Sequence, residues 1–380
     1  MEKNNRFKTL LTRATGATAS FFKKAFVAPS ATKKSPVGAF FGSHYTQFLL
    51  LGMVFVVLQL MGNKQMLPVS LMRGFGGLMI NTIVALGFFI LLGFAGLASL
   101  GTAGFVGLGT YMTGYLLNQT ALPTLVVLLI CILTAIVLGI VVGFISLRIE
   151  GMYLAIITLC LSEILVQLFV NLDTITNGVN GLRVSPLPFL FDLELVGFQF
   201  FELTRENMFM VIVAVFVILL ILTHNLTHSP TGRAMLAMKN SESAAQTMGV
   251  SVLRYRLLGF VLATVFAMIA GFLYEIYWRT TYPTSWGISY SLNILAVVVI
   301  GGTKNIWGLI LGAFMIFGLN DIVLKFIPFF VENSGIIVLL NGALMILVVM
   351  FYPGGISQLI IEIKYKILAH KIKKGAKRNG

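Results

Sequence analysis

Side chains able to do chemistry are sparse in this 380-residue chain, and their spacing builds no catalytic or metal-binding set. The two cysteines, Cys131 and Cys160, lie inside apolar runs. They read as small buried hydrophobes, with neither metal spacing nor a disulfide framework. The four histidines, His44, His224, His228 and His370, are scattered without a ligand pattern. No phosphate loop of the GxxxxGK[ST] type occurs, so the chain is expected to bind no nucleotide itself. Catalytic residues, metal and cofactor are thus all expected to be none. One carboxylate, Glu163, stands alone within a long apolar stretch.

The elements that would hold these residues are membrane spans. The chain is 58% hydrophobic and 11% charged, against about 25% charged in soluble domains. No charged residue occurs between Arg73 and Arg148. A span needs roughly 20 apolar residues, so this stretch holds three spans with short turns. The net charge of +14 does not indicate nucleic acid, because the charge is concentrated outside the apolar runs. Residues 1–47 carry eight lysines and arginines against Glu2, and the tail after Tyr352 carries seven against Glu362. Basic flanks mark the cytoplasmic side, so both termini are expected inside.

An even number of spans follows. The candidates are 46–62, 74–95, 98–117, 124–147, 152–171, 207–223, 256–277, 287–302, 305–324 and 335–352. The fold class is therefore all-α, a polytopic membrane protein of about ten helices. It divides into a basic N-terminal tail at 1–45, a transmembrane domain at 46–356 and a basic tail at 357–380. The acid-rich loop 172–206 is expected outside and the basic loop 224–255 inside. No cleavable signal peptide is expected, since the first apolar run begins near Phe48. In the N-terminal tail, Phe7, Leu10, Leu11, Ala14, Phe21, Phe22 and Phe26 recur near helical spacing among basic residues. That suits an amphipathic helix on an anionic membrane surface, or equally a disordered basic tail.

Glu163 falls in the middle of the fifth span. A charge there is costly, so it is expected to avoid lipid. It would either border a pathway or, as the favoured expectation, hydrogen-bond a neighbouring helix. Glu275 and Asp321 lie near span ends and are expected at the interface. Glycines crowd two regions, one including Gly101, Gly104 and Gly107, the other including Gly301, Gly302, Gly308 and Gly312. Small residues let helices approach closely in lipid, and the first group is a candidate for packing or for a pathway. Spans two to five start outside and spans seven to ten start inside, the pattern of an inverted repeat.

The internal loop carries the densest signals. Ser229 or Thr231 is placed to cap a short helix, Ser241 to cap a second, and Gly249 to end it in a left-handed conformation. Such a knob between two spans either fits a cleft in a soluble partner or is an ordinary interfacial loop. The candidate coupling residues are Gly232, Arg233, Glu242, Ala244, Ala245 and Gly249.

The ordered run Gly232-Arg233-Ala234, Glu242-Ser243-Ala244-Ala245, Met248-Gly249 and Tyr255-Arg256-Leu257 resembles the cytoplasmic loop of branched-chain amino acid ABC transporter permeases of the LivM type. Other segments are similar to the same family. They are Ser99–Tyr111, with Thr102 where histidine is common; Gly151-Met152-Tyr153-Leu154-Ala155 with Glu163; and Gly301-Gly302, Gly308, Gly312-Ala313 and Phe351–Gly355. Thr176-Asn177-Gly178-Val179-Asn180-Gly181-Leu182 resembles the family's external loop, with Asn177 and Val179 as departures. The likeness covers about 74–357, in order.

The resemblance implies a permease subunit of a type II ABC importer, in the inner membrane of a bacterium. Its partners would be a second homologous permease, two ATP-binding cassette ATPases, an external substrate-binding protein, membrane lipid and the amino acid itself. It implies no nucleic acid, and no bond chemistry in this chain. It also argues against reading the basic N-terminus as a mitochondrial presequence. Related permeases carry urea, simple sugars or nucleosides, so the cargo stays open on these motifs. From other classes, an ion-gradient-driven secondary transporter or a membrane scaffold would also be polytopic. The first would use Glu163 but leave the alanine-rich loop unexplained.

Overall fold

The computed structural model of the chain describes residues 44–64, 68–120, 122–146, 152–185, 189–193, 198–202, 204–327, 334–351 and 355–356. The expected amphipathic segment in 1–45, the basic tail at 357–380, Gly151 and Tyr352–Gly354 lie outside the described residues. The chain divides into two compact units, 1–50 and 51–380. Only seven residues of the first are described, all within the first helix.

Helices dominate, as the apolar runs require. They are α1 (His44–Asn63), α2 (Val69–Phe88), α3 (Thr102–Gln119), α4 (Thr124–Ser146), α5 (Met152–Asn171), α6 (Arg205–His228), α7 (Pro230–Asn240), α8 (Glu242–Thr247), α9 (Val252–Trp278), α10 (Ile288–Gly301), α11 (Ile306–Ala313) and α12 (Ser334–Phe351). Each of the ten expected spans coincides with one of these helices. Among the described residues, eight helical segments are long and apolar enough to cross a membrane. The segments over 98–117 and 335–352 are not among those eight, and composition accounts for the first. Its helix, α3, is rich in Gly, Thr and Tyr and has most of its first two-thirds buried. It is a helix wrapped by other helices rather than by lipid, so it needs less apolar surface. The chain is an all-α polytopic membrane protein.

Two spans continue past their α segment as π-helix, α2 through Phe89–Ala95 and α11 through Phe314–Val323. The long loop after α5 also holds strands, which the apolar pattern did not signal. Strand β1 (Leu182–Arg183) pairs antiparallel with β4 (Thr280–Thr281), and β2 (Phe189–Leu193) with β3 (Phe198–Glu202). The β1–β4 pairing ties the end of α5 to the end of α9. The side-chain amide of Asn118 at the end of α3 joins them by donating to the Arg183 carbonyl at 2.8 Å.

At the centre, α3 and α9 meet almost backbone to backbone. A Cβ at Gly109 would lie 2.7 Å from the Met268 carbonyl oxygen, and one at Gly271 would collide with that of Val106. In lipid, apolar burial does not drive helices together, and this closeness supplies dispersion contacts instead. By contrast, α4 buries only a stripe of small residues, including Cys131, Ala135, Gly139 and Gly143. It presents Leu129, Leu133, Val137, Ile140 and Phe144 outward. That is the pattern of a peripheral span facing acyl chains.

Candidate coupling knob and polar span face

The loop between α6 and α9 folds into the two short helices its residue pattern implied. Ser229 caps α7, accepting from the Gly232 amide at 3.2 Å, with Pro230 in the first turn. Ser241 caps α8, accepting from the Ala244 amide at 3.4 Å. Gly249 follows at φ +80°, with open space where a Cβ would stand, so its role is conformational. Gly232 is different, since a Cβ there would collide with the Leu226 carbonyl.

The knob is fastened to its own spans at three points. Arg256 of α9 and Glu242 of α8 form an ion pair at 2.7 Å. Arg233 donates to the His228 carbonyl at 3.0 Å. Both charged residues expected to face a partner are thus engaged within the chain. Lys239 makes the third attachment. Its Nζ donates to the carbonyls of Leu92 at 3.1 Å and Gly93 at 2.9 Å, in the π-helical end of α2. A helix end leaves carbonyls without partners. Here the Leu91 carbonyl accepts from the amides of Gly96, at φ +72°, and Leu97, while Lys239 takes up the next two. Burial, and then the Lys304 charge, hold the Lys239 ammonium below its ordinary pKa.

The two alanines divide. Ala245 is buried against its own chain, at 4% exposure, so it is unavailable to a partner. That removes Ala245 from the candidate coupling residues that a partner could touch. Ala244 is exposed, and beside it Met248 is 86% exposed. Leu236 and Leu253 are also outward. The tip of the knob therefore carries Ala244 and Met248 outward among the exposed Ser243, Gln246 and Thr247.

The glycines of the first crowded region are packing contacts. A Cβ at Gly101 would lie 2.7 Å from the Thr158 carbonyl oxygen, one at Gly104 2.9 Å from Ser162 Cα, and one at Gly107 2.8 Å from the Phe169 ring. Hydroxyls serve the amides at the start of α3. Thr158 accepts from Leu100, Ser162 from Gly104 and Ser291 from Ala103, at 2.9 to 3.0 Å. In the opposite loop, Asn177 is left-handed at φ +60° and donates to the Gly181 carbonyl at 3.0 Å. Gly178 and Gly181 also have positive φ, which places this run in a tight turn; Val179 and Asn180 are exposed at it.

The carboxylates exchange their expected places. Glu163 is exposed on α5, and the Gln167 amide one turn along its own helix donates to it at 3.4 Å. The expected bond to a neighbouring helix is not what the described residues hold. Glu275 is 0% exposed, and neither of its oxygens has a hydrogen-bond partner among the described residues. Asp321 does stand part-exposed, in an ion pair with Lys325 at 2.6 Å. Cys131 is buried as expected, whereas Cys160 is exposed on the same face as Glu163. Among the described residues no cluster of His, Cys, Asp or Glu suits a metal ion.

The knob, its caps and the glycine-packed spans all lie inside one family match. The family model described as branched-chain amino acid transport system / permease component matches residues 70–349. The chain belongs to that family. The permease is 32% identical over 294 residues to the high-affinity branched-chain amino acid transport system permease protein LivM of Escherichia coli K12. The match covers 73% of this chain and 68% of that protein. The Salmonella typhimurium LivM is 31% identical with the same coverage. The ribose import permease RbsC of Bacillus subtilis is 34% identical over 115 residues, only 29% of this chain and 34% of that one. No solved structure gives a significant match.

Lys239, Arg256 and Met248 of this permease were not among the candidate coupling residues, although Met248 and Arg256 stand in the run that resembles the family's loop. The usable signal for Lys239 was a basic residue in the last turn of a capped helix. Its carbonyl partners lie over 140 positions away in sequence. Glu275 carries its own test. A buried polar group without a partner costs about 1–3 kcal/mol. Glu275→Leu is therefore expected to raise the denaturation temperature of the detergent-solubilised permease, and a lower one would show that the carboxyl is satisfied in the folded protein.

Proposed function

We propose that this permease is the membrane-spanning subunit of an ATP-driven importer for branched-chain amino acids, in the cell membrane of a bacterium. It pairs with a second permease chain, stands on two ATPase subunits and receives substrate from an external binding protein. Both termini and the knob are cytoplasmic, and the 172–206 loop is external. Family membership and the names of the relatives favour this reading over a secondary transporter. The arrangement of loops supports the sidedness. Lys239, Glu242 and Arg256 gather with the end of α2, while Asn118, Arg183 and Thr280 gather at other helix ends, as ten alternating spans require.

One observation carries the mechanism. The knob is bolted to α2 and α9 by Lys239 and Glu242 while Ala244 and Met248 stand outward. Motion of a partner seated on that tip is passed to the spans as a rigid-body shift. This chain hydrolyses nothing; the ATPases do. Ala244→Trp and Met248→Glu are expected to leave membrane insertion unchanged and to cut co-purification of the ATPases, and uptake with it, by tenfold or more, the size of about 1.4 kcal/mol of lost binding. Wild-type co-purification with both variants would remove the tip as the docking point.

A further inference from the structure

Resting on the importer reading above, we propose that the outward face of α5 lines a water-filled path, and that Glu163 receives the ammonium group of a zwitterionic aliphatic amino acid passing along it. The face is one stripe. Tyr153, Ile156, Cys160, Glu163, Gln167 and Asn171 are all exposed at three- and four-residue steps. Glu163 stands eleven residues beyond Met152, roughly 16 Å along the helix and about halfway through a hydrocarbon core of about 30 Å.

The neighbouring span gives the contrast that decides the assignment. The exposed face of α4 is wholly apolar, fit for lipid. The exposed face of α5 puts a carboxylate and two amides at the same depths. A carboxylate at mid-depth marks a substrate or ion route when it faces a polar space. No cationic side chain is paired with Glu163 among the described residues. The charge is therefore open to a mobile cation.

The rest of the stripe narrows the chemical class. Ile156 on the stripe, and Ile164 and Leu168 along its edge, are exposed as well and offer apolar contact to an aliphatic side chain. One fixed charge without an opposite clamp holds an ammonium only loosely. A conducting path needs sites weak enough to release.

Cys160 is a native probe one turn from Glu163, and Cys131 is buried. The assembled importer, with cysteine-free partner subunits, would be purified in proteoliposomes with its ATPases. Failure of that assembly would overturn the importer reading and this proposal together, before any labelling. Cys160 would then be treated with the membrane-impermeant cation MTSET and with the small neutral reagent MMTS, using Cys160→Ser as control. The expected result is modification by MTSET, slowed several-fold by leucine with its binding protein during turnover. Glu163→Gln should lower the MTSET-to-MMTS rate ratio by about fivefold, as loss of a local attracting charge requires. It should also reduce uptake with unchanged ATPase co-purification. Reaction with only a lipid-soluble maleimide would place the face in acyl chains, and no reaction with any reagent would place it in a dry interface. Either outcome, or an unchanged rate ratio, overturns the proposal while leaving the importer reading intact.

Discussion

Lys239→Met is expected to reduce uptake at least tenfold while the ATPases still co-purify and still hydrolyse ATP. The lysine lies on α7, where it touches no docking residue named above, so association should survive. What the substitution removes is the ammonium that joins the knob to the π-helical end of α2. Methionine keeps much of the stem that packs against Gly96, whose Cβ position lies 3.1 Å from Lys239 Cγ. Two charge-assisted hydrogen bonds are each worth about 1.5–3 kcal/mol. Losing them frees the Leu92 and Gly93 carbonyls and lets α2 move independently of the knob. The diagnostic measurement is ATPase activity with and without loaded binding protein in proteoliposomes. Stimulation should vanish in the variant while basal hydrolysis persists. Full uptake by Lys239→Met would show that the knob drives the spans through α9 alone, by way of Glu242 and Arg256.

How far the molecule was legible beforehand depended on whether the controlling physics was local. The spans were readable because twenty apolar residues have few alternatives to a membrane helix. The two caps at Ser229 and Ser241 and the left-handed Gly249 were readable because a cap is decided within four residues. Exposure within a span was not readable. Glu163 and Glu275 each interrupt an apolar run, and only tertiary packing, of α9 against α3 and of the opposite face of α5 against α3, buries the second and leaves the first outward. The same holds for the alanines, where α8 turns Ala245 inward and Ala244 outward. A six-residue helix is too short for its periodicity to reveal that. The π-helical end of α2 and the strand pairings depend on partners distant in sequence, and no nearby residue pattern announces them.

Two glycine substitutions should differ sharply in their consequences, one at a buried helix crossing and the other at the exposed end of the knob. Gly271 lies in the middle of α9, where a Cβ would run into the Val106 carbonyl and within 3.0 Å of the Thr110 amide nitrogen. The obstacle is backbone on a helix that is itself buried, so nothing flexible can yield. The α3–α9 pair would have to separate, losing contacts along both helices in a solvent that offers no hydrophobic drive to restore them. Gly271→Val is therefore expected to cost several kcal/mol, at or beyond the 1–3 kcal/mol typical of overpacked cores. The permease should fail to accumulate in the membrane. Gly249 has φ +80° and nothing within 4 Å of a Cβ. Gly249→Ala then carries only the left-handed backbone penalty of about 1–2 kcal/mol, confined to the end of a surface helix. It should accumulate normally, with a small fall in denaturation temperature in detergent. Membrane-fraction yield and thermal unfolding of the two variants, measured side by side, decide the matter. Normal accumulation of Gly271→Val would mean that α3 and α9 can part without collapse of the bundle.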